Sequence, residues 1–274
     1  DGAVAMYSKY GRVSNSTNGK VNIMDNNSIG LYGVDETQVI NAGTVNVKGN
    51  SSLGMYGVSD DLLNPTVTGA SGVLLRQDAT GIINVEGTDS AGIYGTKVRT
   101  VAGKTYTVEN NGTINVNNGD SLGIYSDNVN VTTVGNINLN DISVNTAGNR
   151  VGVYAQGTDA TVTTTGANIN LGTKDQTNIA YYVTNNAKLS GANLETVSGY
   201  GILTAAQDTT VNNTTMPTAI TGTNGQIGLA LLGTNTYGYT GDITVGNTVV
   251  SGLDKFYGIV QMHFPERCII FAPL

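Results

Sequence analysis

The sequence predicts an all-β chain wound as a right-handed parallel β-helix, a β-solenoid of about ten coils. Three observations predict it. The composition is rich in turn and strand formers and poor in charge. Two short phrases alternate along the chain. The tyrosines that close one of those phrases return at the spacing of a solenoid coil.

The composition sets the class. Among 274 residues there are 37 Gly, 14 Tyr, no Trp and 12% charged residues. Such a chain suits strands and turns and offers few helix-forming stretches. Hydrophobic residues make up 39% and recur in alternating runs, which separates the chain from disordered sequences. A formal charge of -7, with 13 scattered Lys and Arg, argues against nucleic acid or an anionic membrane face as partner, because both call for clustered basic side chains. The single cysteine, Cys268, has no partner for an intramolecular disulfide. No apolar run approaches the roughly 20 residues of a membrane-spanning helix, and no signal peptide opens the chain. Asp1 leads directly into a motif, so the expectation is that the true N-terminus lies upstream.

The first phrase is led by Gly and places apolar residues two apart: Gly19-Lys-Val-Asn-Ile23, Gly43-Thr-Val-Asn-Val47, Gly81-Ile-Ile-Asn-Val85, Gly112-Thr-Ile-Asn-Val116, Gly135-Asn-Ile-Asn-Leu139 and Gly241-Asp-Ile-Thr-Val245. This alternation marks a strand with one buried face. The second phrase follows a few polar residues later: Ser28-Ile-Gly-Leu-Tyr-Gly33, Ser52-Leu-Gly-Met-Tyr-Gly57, Ser90-Ala-Gly-Ile-Tyr-Gly95, Ser121-Leu-Gly-Ile-Tyr125 and Arg150-Val-Gly-Val-Tyr154. Its weaker echoes are Ile179-Ala-Tyr-Tyr182, Tyr200-Gly-Ile-Leu203, Ile227-Gly-Leu-Ala230 and Tyr257-Gly-Ile-Val260.

Tyrosines 7, 32, 56, 94, 125, 154 and 182 are 24 to 38 residues apart, a coil length with variable loops. The segments Asp60 to Pro65 and Lys97 to Lys104 account for the longer spacings as insertions at corners. A coil of two or three short strands cannot enclose its own core. Stacked at about 4.8 Å, however, coils bury one another's inward residues and form a rod on the order of 45 Å long.

The spacing also predicts a side-chain register. Val4/Met6, Ile29/Leu31, Leu53/Met55, Ala91/Ile93, Leu122/Ile124 and Val151/Val153 are expected to face inward, with the intervening Gly and the Tyr on the other face. Tyr7, Tyr32, Tyr56, Tyr94, Tyr125 and Tyr154 would then form an exposed ladder, the candidate site of the chain. It serves either to stiffen the solenoid by like-on-like stacking or to bind a glycan or protein.

Together the two phrases resemble the passenger repeats of large autotransporter adhesins of the fusobacterial type, clearly over residues 1 to 155 and in degenerate form over 156 to 260. The resemblance implies a passenger fragment of a surface autotransporter, at the cell surface or outer membrane or secreted, supporting or mediating attachment to host cells or other bacteria. Its implied partner is a surface protein or glycan. Its implied membrane contact runs only through a C-terminal β-barrel that this sequence does not contain.

From residue 261 the composition changes, since the only His, the only Cys and two of the four Pro fall in Gln261 to Leu274. The expectation is a tail foreign to the solenoid, such as a frameshift or a misassembled gene end, with a true cap as the alternative. His263 and Cys268 are therefore left out of any site.

The chemistry sought elsewhere gives no strong pattern. One His removes most triads and His-based metal sites. A lyase- or glycosidase-like β-helix needs clustered carboxylates, whereas the acidic pairs Asp60-Asp61 and Asp35-Glu36 read as solvated corner residues. Asp25-Asn-Asn27 and Asn117-Asn-Gly-Asp120 offer oxygens at turns, where such residues are favoured for backbone reasons. The expectation is a monomeric, non-enzymatic shaft without catalytic residues, metal or other cofactor. The alternatives are a carbohydrate-active β-helix enzyme and the shaft of a toxin passenger.

Overall fold

The computed structural model describes residues 2–35, 37–59, 74–98, 106–139, 150–165, 169–170, 178–185 and 187–189 with their side chains. Val73, Ser190 and the strands between Tyr200 and His263 are described by backbone and pairing alone. The first coil is β1 (Val4–Lys9), β2 (Arg12–Asn15) and β3 (Lys20–Ile23); the second is β4 (Ile29–Val34), β5 (Gln38–Asn41) and β6 (Thr44–Val47). Next come β7 (Leu53–Ser59), β8 (Val73–Gln77) and β9 (Ile82–Val85), then β10 (Ala91–Lys97), β11 (Thr107–Asn110) and β12 (Thr113–Val116). The following coils are β13 (Ser121–Asp127), β14 (Asn130–Thr133) and β15 (Asn136–Leu139); β16 (Arg150–Gln156), β17 (Thr161–Thr164) and β18 (Ile169–Asn170); and β19 (Ile179–Thr184) with β20 (Lys188–Ser190).

Each strand pairs in parallel with its counterpart one coil away. Among the described residues this builds sheets of ten, eight and six strands whose order follows the sequence. That is the arrangement of a parallel β-helix, with three strands per coil. The Tyr phrases form the first sheet and the Gly-led phrases from Gly19 to Gly135 the third, while Ile243–Thr244 of the last such phrase pairs with Thr214–Thr215 in a separate two-stranded sheet. Between the first and third, the middle sheet is carried by β2, β5, β8, β11, β14, β17, β20 and the strand Thr210–Asn212.

Alternation explains the third sheet. In β12, Ile114 and Val116 are fully buried while Thr113 and Asn115 face out, and Ile83/Val85 and Val45/Val47 repeat this in the two preceding coils. Leu31, Met55, Ile93 and Ile124 enter the same core from the first sheet. No coil holds this core alone, so burial is shared between neighbours along the whole stack.

The corner before four of the Tyr phrases is turned by a residue in the left-handed region: Asn27 (φ 55°), Ser51 (φ 52°), Asp89 (φ 53°) and Asp120 (φ 52°). Asn and Asp tolerate this conformation because their short side chains can bond locally. The turn reading of Asn27 and Asp120 therefore holds. At the other end of the Tyr strand, Asp35 (φ 46°), Asn128 (φ 57°) and Gly157 (φ 93°) do the same at the next corner.

One expectation is corrected. The glycine of the Tyr phrase faces the core and not the tyrosine side. A Cβ on Gly30 would lie 2.9 Å from Ile23 Cδ1, and one on Gly123 would lie 2.9 Å from Ile137 Cγ2. Of the residues expected to face inward two places before the buried apolar one, Ala91 and Val151 are buried, Ile29, Leu53 and Leu122 are partly exposed, and Val4 in the first coil is exposed. The cause is the corner itself. Glycine and the following residue both turn inward there, and the ladders run from Ile29 and Leu53 to Leu31 and Met55 past the glycine between them. At Gly30, Gly54, Gly92 and Gly123 an added side chain would crowd the next coil, because the carbonyl of that coil's glycine lies within 2.8 Å of each Cβ position, although in β19 the buried Ala180 holds the equivalent place.

Beyond Ser190 the weak echoes fall into register with the clear phrases. Tyr181 pairs with Ile202, Ile202 with Leu229 and Leu229 with Ile259. The last strand of the first sheet, Phe256–His263, carries the first three residues of the atypical tail; residues 264–274 lie outside the described residues. Asp60, Asp61 and residues 99–105 lie outside them as well. Lys97, read as the start of an insertion, is instead the last residue of β10 and pairs with Ser59.

Candidate functional site

The predicted tyrosine ladder is formed. Tyr7, Tyr32, Tyr56, Tyr94, Tyr125, Tyr154 and Tyr182 occupy one register position in consecutive strands of the first sheet. Each lies between an inward apolar residue and a further inward position, so it points out of the sheet. Ring centroids are 5.3 Å apart for Tyr7–Tyr32 and 4.9 Å for Tyr32–Tyr56, then 5.3, 4.3, 5.1 and 4.9 Å along to Tyr182. These distances follow the strand spacing of about 4.8 Å.

Four of the contacts are stacked, with planes 5° to 19° apart. Tyr7–Tyr32 is tilted by 53° and Tyr56–Tyr94 is edge-on at 82°, which divides the stack into a short and a long run. Tyr7, at the open end, is 57% exposed, whereas the rings from Tyr32 to Tyr182 are half-buried by one another. Burial raises the phenol pKa of Tyr32, Tyr56, Tyr125 and Tyr154. For Tyr125 the neighbouring Tyr94 and Asp127 push the same way.

This geometry limits what the ladder can do. A sugar binds an aromatic ring by lying on its face, and within the stacked runs each face is already covered by the next ring. What remains open is a row of phenol edges and hydroxyls. Two residues further along the strands, the same face carries Lys9, Val34, Val58, Thr96, Asp127 and Gln156 in register. That row passes from basic through apolar to acidic and presents no repeated chemistry.

Other ladders escaped the sequence reading although their signals stood in the quoted phrases. The Asn in fourth place of the Gly-led phrase forms an outer amide ladder. Asn46 Nδ2 donates to Asn22 Oδ1 (2.7 Å), Asn84 to Asn46 (2.8 Å), Asn115 to Asn84 (2.8 Å) and Asn138 to Asn115 (2.8 Å). The Ser opening the Tyr phrase is buried at the corner. The Ser28 N–H donates to Ser52 Oγ (3.0 Å), that of Ser52 to Ser90 Oγ (3.1 Å) and that of Ser90 to Ser121 Oγ (3.3 Å). Where the phrase changes to Arg150 the ladder ends, and the buried Arg150 guanidinium donates to Asn178 Oδ1 at 3.3 Å.

One acidic residue, Asp35, is placed differently from the expectation of a solvated corner, while its neighbour Glu36 lies outside the described residues. The Asp35 carboxylate is 5% exposed and lies 3.6 Å from Lys9 Nζ. Asp159 receives Lys97 Nζ at 3.1 Å, and that lysine side chain is only 3% exposed. Among the described residues no group of three or more His, Cys, Asp or Glu could hold a metal ion. Comparison of the chain with protein-family models, with curated proteins and with solved structures finds no match.

Proposed function

We infer that this chain is a shaft segment of a bacterial surface autotransporter passenger, an adhesin-type rod that carries or supports attachment and performs no catalysis. The observation that carries this reading is the self-satisfied repeat surface. Phenol rings, amides and corner hydroxyls are each bonded to their own counterpart one coil away, so the most regular chemistry of the molecule is spent on holding coil to coil. A catalytic β-helix would set one cluster of groups apart from this pattern. Among the described residues the ring ladder instead continues from Tyr7 to Tyr182.

The paired phrases, with their resemblance to autotransporter adhesin repeats, supply the rest of the proposal. The rod stands at the cell surface, its partner is a surface protein or glycan of a host or neighbouring cell, and a barrel elsewhere in the parent protein anchors it. Antibodies raised against residues 1–190 test this on intact and permeabilised cells of the source organism. Labelling of intact cells, lost after brief external proteolysis, is the expected result. Labelling that requires permeabilisation would overturn the proposal.

A further inference from the structure

We propose that the tyrosine ladder is a site of oxidative cross-linking, in which Tyr94 and Tyr125 couple through their ortho carbons to form an intrachain dityrosine staple between adjacent coils. The proposal does not depend on the surface role above. It rests on three observations.

First, Tyr94–Tyr125 is the tightest pair of the ladder, with centroids 4.3 Å apart and planes 19° apart. Because the strands are parallel and in register, both side chains leave the sheet in the same direction. Their hydroxyl-bearing edges, and the ortho carbons beside them, therefore lie side by side. The edge-on Tyr56–Tyr94 pair lacks this alignment, since its planes stand 82° apart.

Second, both rings are only half-buried, so a small oxidant reaches their edges and the rings retain room to tilt as the bond forms. Third, competition is weak. The chain has no Trp, and its one cysteine lies far along the sequence at position 268. Tyrosine is therefore the readiest one-electron donor in this part of the chain. The stacked neighbours Tyr154 and Tyr182 extend the same run, so a radical formed there can pass to the tight pair.

The chemistry balances with a one-electron oxidant such as a photogenerated ruthenium(III) polypyridyl complex or the oxidised haem of a peroxidase. Each phenol gives up one electron and its hydroxyl proton, and two phenoxyl radicals join through a new carbon–carbon bond. The two ortho hydrogens then shift to restore both phenols. In sum, two phenols and two ruthenium(III) yield one biaryl, two ruthenium(II) and two protons. With peroxide as the terminal oxidant, the same two hydrogen equivalents leave as water.

The test is brief photo-oxidation of the folded chain with a ruthenium polypyridyl complex and persulfate, followed by gel analysis, denaturation and tryptic mapping. Trypsin places Tyr94 in peptide 77–97 and Tyr125 in peptide 105–150. The expected product is a monomeric chain, lighter by two hydrogens, in which these peptides are joined at Tyr94 and Tyr125. Its yield is independent of protein concentration. Tyr125→Phe keeps the ring and its packing and should abolish that joined pair, as should oxidation in denaturant. A yield that rises with protein concentration, links only between chains, or oxidation of exposed Met24 with no joined pair would each overturn the proposal.

Discussion

Gly123→Ala separates the core-facing glycine seen in the structure from the outward glycine that alternation alone predicts. A Cβ built at this position lies 2.6 Å from the Gly152 carbonyl oxygen and 2.9 Å from Ile137 Cγ2. Carbon contacts of ordinary length begin near ~3.5 Å, so both neighbours must retreat by more than half an ångström. One of them is backbone fixed in the next coil, and the other is a fully buried side chain within β15. Overpacking of this kind costs about 1–3 kcal/mol, against which the reduced freedom of the unfolded alanine chain returns about 0.4–1 kcal/mol. Taken at mid-range, the net expectation is a loss of about 1.3 kcal/mol, read as a lower urea midpoint by circular dichroism. Gly11→Ala is the control, because its neighbour is the movable Ser8 hydroxyl at 3.1 Å. A Gly123→Ala protein as stable as the parent, or more so, would refute the inward assignment, since an outward alanine in a strand carries no such clash.

Three further outcomes are expected. Ser90→Ala removes the acceptor of the Ser52 N–H and the donor to the Gly49 carbonyl, both in the buried corner, and should cost about 1–3 kcal/mol in the same urea experiment. Asp159→Asn leaves the buried Lys97 ammonium without its carboxylate and should destabilise the chain more than Lys97→Met, which removes the charge and keeps the stem; the reverse order would show that the pair is dispensable. For the ladder phenols, burial raises the folded pKa above the ordinary value of 10.0. At high pH the folded chain then holds more protons than the unfolded one, so this contribution is complete below about pH 10 and is lost as the pH climbs through the raised folded values. Phenolate absorbance should accordingly appear later in the folded chain than in urea, and coincident titration curves would contradict the stacking.

Much of this was legible in the sequence because a solenoid repeats its physical problem in every coil. The Gly-led phrase shows a one-sided strand from two apolar positions, and Ile83, Ile114 and Ile137 are buried as that pattern requires. The tyrosine register is readable for the same reason, since one residue per coil at one position must stack on itself. The middle strand of each coil was less legible. Segments such as Gln38–Asn41 and Asn130–Thr133 end in polar residues that turn inward, where Asn41 accepts from Asn15 at 2.9 Å and Thr133 accepts from Asn110 at 3.1 Å. Alternation of apolar with polar residues cannot show that a polar group belongs to the core. The glycine orientation failed at a corner, where two consecutive residues face inward and a period of two no longer applies. The bridge from Lys97 to Asp159 joins residues 62 positions apart, a separation that no local pattern encodes.

The most direct test of the account replaces all seven ladder tyrosines with phenylalanine in the parent protein displayed on cells and measures attachment. Phenylalanine keeps the ring stack and deletes the row of hydroxyls that forms the ladder's open polar edge. A shaft whose tyrosines serve to hold coil to coil predicts attachment equal to that of the parent, with protease resistance of the rod preserved. Loss of attachment with the rod still resistant would contradict it and make the phenol row the binding surface.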